Sequence, residues 1–528
     1  MATTKQIAKG SRSAIAWCPE ESYGVLPAAT GWTFRGLNNE ALGEAIETVT
    51  AEDIRSNRTT PGVRGGNISA SGSITHDFDA VTPLPWFRHL LGGSTALAAS
   101  AYSPSALAVG TYKRGECFTA LSKTFMVLRG GTLAAGVVAG DLTNYTTTGA
   151  TAELAAAIGS PIRVECIGTS SLSLYSYAIS GADALPPGGL AIEKQILGAE
   201  DPLYVQFLGC RLNTLELSVP QSTVCKASWG VVGLTVEAPI SAAATGTVTV
   251  TTPADNDTVV IDGKTYTFKT TLGVTANQVK IGVDATATAA NLTAAIMLHS
   301  GAGSTYAAAT TLHPSVYATS ALGVTTLTAK VGGTAGNSIT LTKVGTNITV
   351  SAATLTGGTS GKKSGTVDGT FVRQPVTGLN AFVDVGDAAY VGKTDNLLAW
   401  RDASISISNG IDENVYVIGS RYRADVPEGV RSISGRLSCY YTDRSTYDLF
   451  KNETKVPIAI SFAYNGEFLR IEIPEVKLTG DGQPKIAGPG VMTQDFTFTA
   501  FLDEGNNAIS GATDIRVYAI NKAASMVS

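Results

Sequence analysis

The chain has 528 residues and a net charge of -5, from 38 Lys+Arg against 43 Asp+Glu, with only 15% charged residues. A hydrophobic share of 44% excludes wholesale disorder. The acidic balance argues against a dedicated nucleic-acid binder, whose footprint is a basic patch. At ~100–200 residues per domain, the length allows two to four domains.

From Met1 to Trp17 no apolar run reaches the ~7–15 residues of a secretory signal, and no later window approaches the ~18 of a membrane span. Pro85-Trp-Phe-Arg-His-Leu-Leu91, stopped by Gly92-Gly93, predicts a short aromatic helix. The Ala- and Gly-rich stretch from 100 to 200 offers only strand candidates at Phe118–Leu128 and Ile162–Ile167, with Leu203–Phe207 beyond it. Leu212–Val219 alternates Leu215, Leu217 and Val219 with Thr214, Glu216 and Ser218, then turns into Cys225–Val236. Period-two patterning predicts a sheet with one buried face.

Residues 241–362 break with their flanks. These 122 positions hold six Lys, four Asp and 29 Thr, with no Arg, Glu, Trp or Cys. Small-residue stretches open the segment at 241–246 and close it at 357–361, as at a domain boundary. Thr258–Ile261, Asp262-Gly263 and Lys264–Lys269 predict a hairpin, because Asp-Gly accepts the positive φ of a type I′ turn. Thr286–Leu298 has helical spacing, and strands are expected at Val324–Lys330, Ile339–Lys343 and Ile348–Ser351. The expected organisation is a first unit over 1–240, an inserted accessory domain over 241–362, and a second unit over 363–528.

Outside the insert the sequence repeats weakly. Ile54-Arg-Ser56-Asn-Arg58 matches Ile418-Gly-Ser420-Arg-Tyr422, and Ile68-Ser-Ala-Ser-Gly72-Ser-Ile74 matches Arg431-Ser-Ile-Ser-Gly435-Arg-Leu437. Each copy then has an aromatic helix candidate, the second at Ser445–Phe450, and a strand–loop–strand, the second at Phe468–Leu478 and Met492–Phe501. Ala403–Ser408 alternates as a strand, and Tyr464-Asn-Gly-Glu467 predicts a tight hairpin between Pro457–Tyr464 and Glu467–Ile473. The fold class expected is mainly β: two related antiparallel β-barrel or sandwich units, each with a short helix, plus a small mostly-β insert with one helix.

Chemistry-bearing motifs are weak. The six cysteines (18, 117, 166, 210, 225 and 439) are scattered without a C-x-x-C pair, which reads as reduced thiols in a cytoplasmic fold. The four histidines (76, 89, 299 and 313) have no ligand spacing. Gly357-Gly-Thr-Ser-Gly-Lys-Lys363 lacks the first Gly and the Ser/Thr of a phosphate loop. Asp255 and Asp257 supply too few oxygens for a cation and read as turn residues. No enzyme, metal or cofactor is expected.

Glu20-Glu-Ser-Tyr-Gly-Val-Leu-Pro27, Phe34-Arg-Gly-Leu37, Glu52-Asp-Ile-Arg-Ser-Asn-Arg58 and Ser71-Gly-Ser-Ile74, in that order, resemble the tail tube (major tail) proteins of long-tailed bacteriophages. The second copy is similar from Trp400 to Leu502, so the resemblance covers about three-quarters of the chain. The insert is similar to accessory, Ig-like domains of phage structural proteins. The resemblance implies a structural virion protein, assembled in the host cytoplasm into rings that stack as a hollow conduit for double-stranded DNA. It also implies tape-measure, tail terminator and tail-tip proteins as partners. Two tube units per chain favour a trimeric, pseudo-sixfold ring, with a hexamer as the alternative. Family analogy makes Glu47–Gly66 and Ile411–Gly429 ring-stacking arms, with inter-subunit contacts expected from Glu47, Asp53, Arg55, Arg58, Arg64, Asp412, Glu413, Arg421, Arg423 and Arg431. The insert should project outward and bind host surfaces weakly, which implies a non-contractile, siphovirus-type tail. The host fold without the insert nets -7, which suits a lumen that must not hold DNA. A cell-surface adhesin or surface-layer protein of β-sandwich modules remains open, as does a hydrolase with an appended binding module.

Overall fold

The computed structural model describes residues 13–28, 31–50, 63–92, 100–157, 160–197, 203–239, 241–362, 364, 375–386, 400–442, 444–480, 482–484, 486, 489–502 and 513–522. Two compact units divide the chain. One gathers 193–206 and 237–365, the other 15–192, 207–236 and 366–528. The protein is mainly β, its sheets sandwich-like and not closed into a barrel.

The first copy comprises β1 (Ala14–Pro19), β2 (Gly43–Thr50), β3 (Val63–Asp77), helix α1 (Leu84–Leu91), β4 (Leu190–Ile196), β5 (Leu203–Val219) and β6 (Lys226–Gly233), and lies in the larger unit except for Ala14 and the 193–196 and 203–206 ends of β4 and β5. Antiparallel pairing runs β2–β3–β6–β5. Every residue of α1 is buried, with Pro85 in its first turn and Gly92 ending it at φ 84°. Its Trp86 and Phe87 meet Trp229 of β6 edge-on, at centroid distances of 5.5 and 5.3 Å. Trp229 Nε1 donates to His76 Nε2 at 2.9 Å, which satisfies the indole inside the core.

Between α1 and β4 lies a sheet that the sequence reading did not resolve. Its five strands are ordered Thr151–Leu154, Ile162–Thr169, Lys123–Arg129, Cys117–Ala120 and Ser105–Ala106, over a core including Phe118, Phe125, Val127 and Ile162. The expected single strand 118–128 is instead a hairpin. Leu121 and Ser122 turn it at φ 51° and 57°, a conformation ordinarily given to Asn or Gly, so no turn signal was visible.

The smaller unit has two four-stranded sheets. Val316–Ala321, Val324–Ala329, Thr245–Val250 and Ile348–Val350 form one; Gln278–Lys280, Lys264–Lys269, Thr258–Ile261 and Leu341–Val344 form the other. Helix α2 (Ala285–Met297) is capped by Asp284, which accepts from Ala287 N at 2.7 Å. Leu292 and Ile296 share a core with Val248, Ile261, Phe268 and Leu327. Asp262 and Gly263 turn the predicted hairpin at φ 47° and 76°. Glu193, fully buried, accepts from Gln195 Nε2 at 2.9 Å, Gln206 Nε2 at 3.0 Å and Ser364 N at 3.2 Å, and so ties the returning chain to this unit.

The second copy comprises β7 (Ala381–Val385), β8 (Trp400–Ser408), β9 (Ser432–Tyr440), α3 (Ser445–Lys451), β10 (Lys455–Tyr464), β11 (Glu467–Thr479) and β12 (Thr493–Ala500), followed by β13 (Arg516–Asn521). Pairing runs β8–β9–β12–β11, the order of the first copy. Likewise β1 pairs β4 as β7 pairs β10. Asn465 and Gly466 turn the β10–β11 hairpin at φ 51° and 74°.

The duplication holds at single residues. Ser71 faces Val232 as Ser434 faces Thr499. Phe87 meets Trp229 as Phe450 meets Phe496, the latter at 6.3 Å. A Cβ on Gly72 would lie 2.3 Å from Ala41 O, and one on Gly435 would lie 2.2 Å from Ser404 O. The repeated Ser-Gly therefore marks a place where two backbones touch. All six cysteines are free and buried.

Candidate assembly interface

The two copies are joined through their edges. Strand β5 pairs on one side with β6 and on the other, antiparallel, with β8. Thr214 stands opposite Ser408, Leu217 opposite Ile405 and Val219 opposite Ala403. Cross-strand rows therefore run from one copy into the other. Ile74, Trp229, Leu215, Ile407 and Ile433 form a buried apolar row. Thr75, Ser228, Glu216, Ser406, Ser434 and Thr499 form its counterpart on the polar face.

That polar face is rich in hydroxyls and sparing of charge. Thr75 Oγ1 donates to Ser228 Oγ at 3.0 Å, and the Thr479 and Thr497 hydroxyls meet at 2.9 Å. Two of its cations are paired: Arg436 with Asp495 at 2.9 Å and Lys477 with Glu453 at 3.2 Å.

Strand β2 differs from its counterpart β8. β8 is paired on both sides, whereas among the described residues only β3 pairs β2, and all eight residues of β2 are exposed. Ile46, Val49 and Val63 of this hairpin are more than half exposed, and its register shifts at Glu47. Glu47 and Arg64 both lie on this exposed arm. Asp53, Arg55 and Arg58 lie outside the described residues.

The 411–429 connection docks on the base of the same hairpin. Ile68 N donates to Arg421 O at 2.7 Å, Arg421 Nε to Gly66 O at 2.9 Å and Tyr416 OH to Ile68 O at 3.2 Å. Arg423, whose side chain is only 2% exposed, donates to Ala70 O and Gly233 O, each at 2.8 Å, and to Glu413 O at 2.7 Å. Its guanidinium also pairs with Glu413 at 3.3 Å. Arg431 grips Asp514 bidentately at 2.7 and 2.8 Å and donates to Leu91 O and Ala182 O. Glu413, Arg423 and Arg431 are thus engaged inside the chain, while Asp412 and Arg421 remain exposed. Sequence reasoning missed the partners of Arg423 because they are carbonyls 353 and 190 residues away.

Among the described residues no cluster of His, Cys, Asp and Glu could hold a metal, and no helix is long and apolar enough to cross a membrane. The chain is thus a β protein built on a duplicated sheet, one strand of which, β2, has a single partner among the described residues. The phage tail tube protein family matches the chain twice, over residues 10–309 and 261–500, and the chain belongs to that family, a component of the virion. No curated protein sequence matches it.

Proposed function

We propose that copies of this chain close edge to edge into rings, and that the rings stack into a hollow tube through which double-stranded DNA passes unheld. The observation that carries this reading is the β5–β8 junction, where one copy already completes the edge of the other. An open strand edge is a template for a further strand, and a head-to-tail contact closes when its rotation divides a full turn. Two units per chain favour three chains in a pseudo-sixfold ring.

The hydroxyl face is assigned to the channel. Passage requires a wall that does not collect phosphates, since ~6–10 simultaneous basic contacts would hold DNA in a strongly salt-dependent way. Ring stacking is assigned to the exposed arm and connection, through Glu47, Arg64, Asp412 and Arg421. Residues 241–362 are assigned to the outside of the tube as a decoration with weak affinity for host surfaces, because a domain of that size would block a DNA-width channel.

Negative-stain microscopy of the purified protein tests the reading: rings or tubes are expected, and beaded monomers would overturn it. Combining Ser404→Arg, Ser406→Arg and Ser434→Arg should leave tubes intact but make them retain duplex DNA at low salt, releasing it as salt rises. Tubes with unchanged DNA retention would remove this face from the channel.

A further inference from the structure

The duplication fixes a register as well as an architecture. Positions in β9 exceed their first-copy equivalents by 363 and those in β12 by 267, as the Ser71–Val232 and Ser434–Thr499 pairs require. Ser408 faces Ser432 and Ala45 faces Ser69, so Ala45 is the equivalent of Ser408. Thr214 faces Gly230 and Thr479 faces Thr497, so Thr479 is the equivalent of Thr214. Within one chain Thr214 and Ser408 stand opposite each other.

Resting on the ring reading above, we propose that β2 of one molecule pairs antiparallel with the end of β11 of a second copy, Ala45 opposite Thr479 and Glu44 opposite Gly480. The internal junction is the template for the external one. The occupant is a second copy of this chain because only it carries an equivalent of β5 in the matching place. The intermolecular pairing begins at Thr479, because Lys477 already stands opposite Lys455 of β10 and is paired with Glu453.

Cysteine cross-linking tests the register. Directly opposed residues in an antiparallel pair lie ~4.5–5.5 Å apart at Cα, within the ~4.4–6.8 Å of a disulfide. The six native cysteines are buried and do not compete. Oxidising assembled Ala45→Cys/Thr479→Cys protein should give a ladder of covalent oligomers ending at the ring number. Either single variant should give none, and Glu47→Cys/Thr479→Cys should give far less. Thr214→Cys/Ser408→Cys serves as the control for geometry, closing within one chain.

If unsubstituted protein forms rings and the control oxidises but the Ala45/Thr479 pair does not, the register is wrong while the ring reading stands. If the unsubstituted protein forms no rings, the ring reading itself fails. Should the double variant not assemble, hydrogen exchange on unsubstituted protein decides. Amides of 43–45 should slow about 100-fold or more on assembly, and unchanged exchange there would overturn the pairing.

Discussion

Arg423 shows how a charge can be consumed by the fold. Its guanidinium ties the 411–429 connection to carbonyls of two separate strands and is almost wholly buried. Arg423→Ala would strand those carbonyls without water, a loss of about 3 kcal/mol in a urea titration. Gly435 is fixed by a different constraint. Gly435→Ala would press a methyl against Ser404 O and Phe498, at a cost of ~1–3 kcal/mol read as a lowered melting temperature. The Ser-Gly repeat itself was visible in the sequence because it recurs. Its cause was not, because the touching carbonyl belongs to another strand.

At the scale of elements, what the sequence disclosed was local. Asp262-Gly263 and Asn465-Gly466 announced their hairpins, and the apolar spacing of Pro85–Leu91 and Thr286–Leu298 announced two helices, the first observed to start one residue earlier and the second shifted by one residue at each end. Leu121-Ser122 announced nothing, and the five-stranded sheet around it stayed hidden. Burial of α1 has a measurable consequence in His89, whose Nε2 has no hydrogen-bond partner. Burial, with Arg88 beside it, pushes this imidazole down to about 3. The unfolded chain takes up the proton near pH 6.5, so this contribution to stability is complete above that pH. It falls by about 1.4 kcal/mol per unit from there toward pH 3. Denaturant titrations across that range should show the slope, and His89→Leu should flatten it.

For the whole molecule, the two copies share strand order and pairing, but among the described residues the first carries the larger insertions. The five-stranded sheet stands between its α1 and β4, where the second copy passes from α3 to β10 in three residues. The threonine-rich unit follows its β6. If that unit is decoration, deleting 241–362 should leave tubes of unchanged diameter in negative stain, and loss of tube formation would show it to be part of the wall. A composition step marks this segment in the sequence, and its buried residues, Leu292 and Ile296 among them, share one core. The edge-to-edge join of the copies was not visible in advance, because register between distant strands is set by rows of packed side chains rather than by any local signal.

Outside a host cell no reducing buffer protects the thiols of a virion component. Reaction with an oxidant requires the sulfur to lose its proton and to be reached. Burial withholds both here, pushing Cys18 up to about 11, Cys225 to about 12, and Cys117 and Cys210 well above the ordinary range. Stray disulfide links between copies are accordingly disfavoured at these four positions.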